Sequence, residues 1–467
     1  MKKISCAVIL LLAFISAFSQ EQKLKKLIGD EGIQGIQLVY AKKDKITDYN
    51  IGMVSKGSDK KVTSNTIFEA ASLSKSVFAY AALRLYDRGV FSLDTPLLHY
   101  MGGSYERFDP KDTRYAKITA RMVLRHTTGL PNWGDDKGAK LLFTPDSCFS
   151  YSGEGYVFFQ RVLEKLTNKP LNDIMREEVF VPLKMTGSSY VWEDKFDTLA
   201  AFGNSTEAIN RHKNANAAYS LLTSAHDYTI FLQALLAGQG LKPATRQMMF
   251  EKSSSGNWFG HPVTEANQHI DWGLGVGLQQ NELGKSIWHW GDNGDFKGFC
   301  ISFPDKQEIL VYFTHNRYGL NITPDILTEF FGKQTWWQAQ WLGYGFKSPK
   351  EIKALRTKLT KDGYGQAIEI VKKEKQKNPA YQLPENDLNE LGYMLMYEDR
   401  KKEAAEIFKL NVSLYPNSAN TYDSLAEAYE GLGANELAIK NYKRSFELNP
   451  QNNNAAEHIK KLELLPL

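Results

Sequence analysis

The chain has 467 residues, enough for about three domains of ordinary size. Hydrophobic residues make up 42% and charged residues 24%, which excludes an intrinsically disordered chain. The formal charge of +4 is small for this length, and no basic stripe interleaves with aromatics, so no nucleic-acid partner is expected.

Residues 1–19 read as a signal peptide. Lys2 and Lys3 precede an apolar run from Ile4 to Phe18, and Ala17 and Ser19 are small residues placed for cleavage after Ser19. The run is short for a membrane span and lacks a stop-transfer flank. Cys6 lies too early in it for lipid attachment, and no later stretch could cross a bilayer. The expected location is therefore periplasmic or extracellular. Cys148 and Cys300 remain in the mature chain, where a disulfide and two buried thiols are both compatible with the sequence.

Strand-like runs follow at Gly35–Tyr40 and Ile46–Ile51, across the turn Lys42-Lys43-Asp44. From about Ser72 to Asp87 the chain reads as a helix that is apolar nearly all round, hence buried. Helix-like spacing recurs at Leu163–Leu171 and Tyr228–Leu236. Strands return at Trp272–Gln279, Ser286–Trp290, Gly298–Phe303 and Glu308–Phe313. Strands at both ends with helices between imply an α+β fold: one antiparallel sheet built from distant segments, flanked by helices, with an all-helical lobe inserted. A groove between sheet and lobe is the expected ligand site. This domain is expected to span residues 20–345.

Residues 346–467 change character, becoming Lys/Glu-rich and helical throughout. Leu391, Ala404, Phe408, Leu414 and Pro416 recur 34 residues later as Leu425, Ala438, Tyr442, Leu448 and Pro450. The stretch Tyr422-x-x-Leu425-Ala426-x-x-Tyr429 resembles the first helix of a tetratricopeptide repeat. A degenerate earlier unit is expected around Ala367, Val371 and Pro379, since about three stacked units are needed for stability. Stacked helix pairs expose a concave groove, which implies a protein partner for this all-α repeat domain.

The chemistry is read from Ser72-x-x-Lys75. The spacing alone is uninformative, because Ser58-Asp59-Lys60-Lys61 matches it too. Ser58 lies in a polar turn, whereas Ser72 opens the buried helix. There, free N–H groups and the positive end of the helix dipole favour negative charge. Residues three apart share a helix face, so Lys75 sits beside the Ser72 hydroxyl. Desolvation in an apolar helix favours a neutral lysine, which can accept a proton.

The stretch Thr66–Lys75 resembles the first motif of class C β-lactamases and the related D,D-peptidases and esterases. Asp87–Asp94, Leu124–Pro131, Phe149–Tyr156, Val179–Met185 and His289-Trp290-Gly291 resemble further motifs of that family, in family order. The resemblance implies a β-lactamase/transpeptidase-like fold and an acyl-enzyme at Ser72. It implies that Lys75 and Tyr151 share general-base duty, Tyr151 also passing a proton to the leaving group. The N–H groups of Ser72 and Asp292, which follows Gly291, would form the oxyanion hole, and His289 would line the far wall. His126 reads as a residue that holds a loop.

One departure bears on substrate. The family usually has Asn two residues after the motif tyrosine, contacting the lysine and a substrate amide. Gly153 stands there, which removes a donor and an acceptor and implies weakened recognition of acylamino groups. Glu154 reads as a solvated loop carboxylate. Gly284-Lys285-Ser286 lacks the leading Gly of a phosphate loop, no Gly-x-Ser-x-Gly elbow occurs, and the nine histidines show no ligand spacing. The expectation is a serine hydrolase needing no metal or cofactor, acting on a small-molecule or peptide ester, amide or D-amino-acid peptide. The rival expectation is an idle hydrolase-like domain that senses ligand or serves as a scaffold.

Overall fold

A computed structural model describes residues 19–203, 209–344, 350–397 and 399–464. The expected signal peptide lies outside the described residues except for Ser19, which begins a helix over 19–30. The chain divides into two compact units, Met1–Gly345 and Phe346–Leu467.

Among the described residues the first unit has ten strands: β1 (Gly35–Lys42), β2 (Lys45–Gly52), β3 (Phe68–Glu69), β4 (Leu222–Thr223), β5 (Ser254–Ser255), β6 (Ile270–Trp272), β7 (Gly277–Asn281), β8 (Gly284–Asn293), β9 (Phe296–Phe303) and β10 (Glu308–Thr314). Eight of them form one sheet in the order β2-β1-β10-β9-β8-β7-β6-β5, and β3 pairs with β4 separately. Every pairing is antiparallel, and β1 joins β10 with Ile36 opposite Thr314. The first and last strands of the unit are thus neighbours, one strand in from the β2 edge of the sheet.

Alternation along these strands builds two cores. Val39, Ala41, Val311 and Phe313 face the inserted helices, packing with Val77, Phe78 and Tyr228. Ile36, Leu38, Leu310 and Tyr312 face the opposite way, onto Leu24, Ile28, Ile326 and Leu327. Covered on both sides, β9 and β10 are buried at every position, which explains their unbroken apolar runs. Cys300 of β9 is a buried free thiol and Cys148 is also unpaired.

Two expected elements differ. Trp272–Gln279 is no single strand but the end of β6, a turn and the start of β7. Gly275 there has φ +86, and a Cβ on Gly273 would stand 2.0 Å from the Met249 carbonyl oxygen, so the chain must turn. The helix read over Leu163–Leu171 ends at Thr167, because Asn168 takes a left-handed C-cap and Pro170 starts the next helix, Leu171–Met175.

In the second unit, helices Glu385–Tyr397 and Lys401–Leu414 are followed by Ala419–Gly431 and Asn435–Leu448, each boundary displaced by 34 residues (385 to 419, 414 to 448). Leu391, Ala404 and Phe408 are buried, as are Leu425, Ala438 and Tyr442 at the same offset. A Cβ on Gly392 would meet the Phe408 ring at 2.3 Å, so that glycine lets the paired helices close. Truncating the fully buried Phe408 to Ala should destabilise the helical unit by about 3–5 kcal/mol, read as a lowered urea midpoint in far-UV circular dichroism.

Candidate active site

Residues 71–73 form a 3-10 turn that runs into the α-helix Ser74–Asp87. Ala71 holds φ +48, a conformation that residues with a Cβ rarely adopt. Ser72 is left half-exposed while Ala71 and Leu73 are buried. The turn is held from several directions. Tyr228 Oη donates to the Leu73 carbonyl (3.1 Å), Tyr190 Oη to the Ser74 carbonyl (2.6 Å) and Ala70 N–H to the Leu221 carbonyl (2.8 Å). Strand β8 crosses so closely that a Cβ on Gly291 would lie 2.3 Å from the Ala70 oxygen. Gly291 is therefore a steric requirement of this crossing, not a wall of the pocket.

Lys75, one turn on, is fully buried. Its Nζ donates to Ser72 Oγ at 3.1 Å and to the Ala218 carbonyl at 2.8 Å. Among the described residues no carboxylate pairs with it, and desolvation holds its pKa well below the usual lysine value. Its Nζ lies 4.8 Å from the centre of the Tyr151 ring. The decoy is dismissed by exposure: Lys61 and Asp59 lie on the surface.

Tyr151 immediately precedes Ser152, whose hydroxyl caps the helix Gly153–Thr167. Its phenol is buried without a partner at hydrogen-bonding geometry. Burial pushes its pKa far up, and the nearby Ser72 hydroxyl offsets this only in part. His126 clamps the tyrosine from both sides. Its carbonyl accepts from Ser150 N–H (2.8 Å), its Nδ1 accepts from Ser152 N–H (3.0 Å), and its ring stacks on Tyr151 at 4.4 Å. Since Nδ1 accepts, the proton sits on Nε2. The loop-holding reading of His126 therefore gains an object, the tyrosine itself.

His289 does not line the open pocket as expected. It is sealed behind it, its Nδ1 against the Trp290 carbonyl (2.8 Å) and its Nε2 without a partner. Burial first, and the neighbouring Lys75 second, lower its pKa to about 3, so it is a neutral ring. Position 289 points to the lysine side of β8, whereas Trp290 and Asp292 face the pocket.

That pocket, 310 Å³ in volume, is lined by Ser72, Tyr151, Asp292, Asn132, His261, Leu342 and four further aromatics, Trp258, Trp290, Trp341 and Tyr344. Gly153 is not among them. A Cβ there would stand 2.7 Å from the Trp133 ring and 2.9 Å from the Asn132 oxygen. Gly153 N–H donates to both Asn132 O (3.1 Å) and Asn132 Oδ1 (3.0 Å). The site thus carries an amide side chain from the loop rather than from position 153. Glu154 is neither solvated nor in the pocket: it is buried, forks onto Arg107 (3.0 and 2.6 Å) and accepts from Gly134 N–H (3.0 Å), fixing the same loop.

Sequence reading missed Asn132, Trp258, His261, Trp341 and Tyr344. Asn132 directly follows the recognised stretch ending at Pro131. The density of tryptophans over residues 336–341 was a signal of an aromatic wall, but not of where it packs. Among the described residues, no group of His, Cys, Asp or Glu is placed to hold a metal, and no helix is long and apolar enough to cross a membrane.

A family model described as Beta-lactamase matches residues 20–325. Penicillin-binding protein 4* of Bacillus subtilis is 21% identical, over 58% of this chain and 66% of its own length. Lovastatin esterase of Penicillium rubens is 25% identical, over 39% of this chain and 58% of its own length. The chain thus covers less than two thirds of the curated relatives it matches. A class C β-lactamase structure superposes with TM-score 0.58 at 18% identity, covering 68% of this chain and 96% of that one. The octameric penicillin-binding protein homologue from Pyrococcus abyssi gives TM-score 0.57 at 18% identity, covering 70% and 77%. The fold is β-lactamase/transpeptidase-like.

The buried lysine sets a stability test. Between its lowered native pKa and its unfolded value near 10.5, the unfolded chain binds a proton that the native state lacks, which opposes folding. Lys75→Met should therefore melt higher than the unaltered protein at neutral pH. The gain should shrink as pH rises through 10.5, measured by thermal unfolding across pH.

Proposed function

The chain belongs to the β-lactamase family, and from that premise we infer that it is a serine hydrolase working through an acyl-enzyme at Ser72. The observation that carries this reading is the 3.1 Å contact between Ser72 Oγ and a fully buried, unpaired Lys75. The two pKa directions divide the labour. The lysine is pushed toward its neutral form and suits the base, while the tyrosine is held as a phenol and suits a proton donor.

In this reading Lys75 takes the Ser72 proton as Oγ attacks the acyl carbon. The carbonyl oxygen gathers negative charge between the N–H groups of Ser72 and Asp292. The bond to the leaving group breaks, and the leaving oxygen or nitrogen receives its proton through Tyr151. Water then attacks the acyl-enzyme with the same groups acting in reverse, releasing the acid and restoring Ser72.

The substrate class supported is an ester or a similarly activated acyl compound, ahead of an acylamino β-lactam. The aromatic wall suits an apolar group, and the pocket's amide comes from Asn132 instead of position 153. An esterase among the relatives agrees with this. We further read residues 1–19 as an export signal and residues 346–467 as tetratricopeptide-like repeats that bind a protein partner, on the 34-residue recurrence of the helix pairs.

A fluorophosphonate probe should add its mass to the protein, and Ser72→Ala should abolish the label. Tyr151→Phe should lower kcat/KM for an activated ester by about 10²–10⁴-fold. A label that survives Ser72→Ala in intact-protein mass spectrometry rules the reading out.

A further inference from the structure

Asp292 directly follows His289-Trp290-Gly291, and its side chain is placed at the pocket's edge by two partners. Lys297 faces it across the β8–β9 pair and forms an ion pair with Oδ1. Tyr344 Oη donates to Oδ2 at 2.9 Å. The two charges are not equally presented. The Lys297 side chain is 5% exposed and the Asp292 side chain 36% exposed, and only Asp292 lines the pocket. Arg317 and Asp295 also act on the lysine, from its buried side.

No lysine or arginine is among the described residues lining this pocket, and the imidazole in that lining, His261, lies tilted against Trp258 with 4.8 Å between ring centres. The next cavity along β8 is lined by Glu69, Asn293 and Asp295, again with no described lysine or arginine. Among the described lining residues Asp292 is thus the charged side chain presented to a ligand, its cation partner Lys297 being buried outside the lining, and fixed charges act strongly in such partly dry clefts.

The leaving group's place follows from Tyr151. In the acyl-enzyme reading it protonates the departing atom. The Tyr151 ring lies 4.7 Å from that of Trp290 and 5.7 Å from that of Trp258, and Trp258 in turn stacks on Trp341 at 5.4 Å. This aromatic wall runs to Tyr344 and ends on Asp292. Asn132 lines the same pocket from the loop beside Gly153.

We propose that this protein hydrolyses acyl compounds whose leaving group is apolar and carries no carboxylate, with Asp292, held by Lys297 and Tyr344, as the residue that repels carboxylate-bearing leaving groups. This rests on the acyl-enzyme reading of Ser72. Substrates ending in a free C-terminal carboxylate, as in peptides cut at their last bond, are disfavoured by the same charge. Neutral esters of aryl or alkyl alcohols are favoured.

The test uses two phenylacetate esters with the full chain: one of meta-hydroxybenzoate and one of its methyl ester, which differ in a single leaving-group carboxylate. After correction for their rates with hydroxide, kcat/KM should favour the neutral ester by about tenfold or more at low salt. The preference should narrow in high salt, since the Debye length falls to about 3 Å at 1 M. Asp292→Asn should narrow it by about tenfold, whatever its effect on absolute rate. The salt series needs no mutation and stands if that variant fails to fold. Equal rates for the two esters, or a preference that neither salt nor Asp292→Asn changes, overturns the role of Asp292 and leaves the Ser72 reading intact. Turnover of both esters that persists in Ser72→Ala overturns the Ser72 reading and this one with it.

Discussion

A lysine side chain removed from water must find a counter-charge or give up its proton. Burial pushes Lys75 toward the second fate, with the Ser72 hydroxyl and the Ala218 carbonyl as its hydrogen-bond acceptors and no carboxylate paired with it among the described residues. Much of the surrounding structure keeps that lysine dry. Tyr151, Tyr156, His126 and His289 close around it, and burial holds both imidazoles neutral as well. Burial thus favours a neutral lysine without a carboxylate, at a cost in stability.

The geometry around Ser72 depends on close approaches that side chains would forbid. Gly291 lets β8 cross the strained Ala71 turn, and Gly153 leaves room for the Trp133 ring and the Asn132 carbonyl. Both glycines look like binding positions in the linear motif. In the folded chain they are places where other groups come in: the backbone of the nucleophile turn in one case, an amide-bearing loop in the other. Glu154 completes this arrangement from beneath, because its ion pair with Arg107 and its bond to Gly134 N–H hold the loop that presents Asn132.

Legibility was uneven for physical reasons. Most strands of the main sheet were readable from apolar or alternating runs, though β5 was not, and the Ser72–Lys75 pair was readable from its place on a buried apolar helix. The break at 168–170 was missed because the apolar spacing continues through it, while Asn168 and Pro170 decide the backbone. The split of 272–279 into two strands was missed because its residues are apolar throughout and only the crowding of Gly273 forces the turn. In the helical unit, the 34-residue recurrence of buried positions reappeared as a recurrence of helix boundaries, since one apolar face defines both.

By itself the sequence determined which chemistry is available: a serine three residues before a lysine on an apolar helix, a tyrosine before a capped helix, and the order of motifs that identifies the family. Those are local properties, fixed by spacing and composition. Tertiary structure alone decided what meets what. It turned His289 inward, where no substrate is in contact, and sent Trp290 and Asp292 outward, because neighbours on a strand point to opposite faces. It also brought Trp341 and Tyr344 from the end of the first unit to the pocket that Ser72, near its beginning, lines. Contacts between segments so far apart in sequence depend on how the two sides of the sheet are packed, and no spacing rule encodes that.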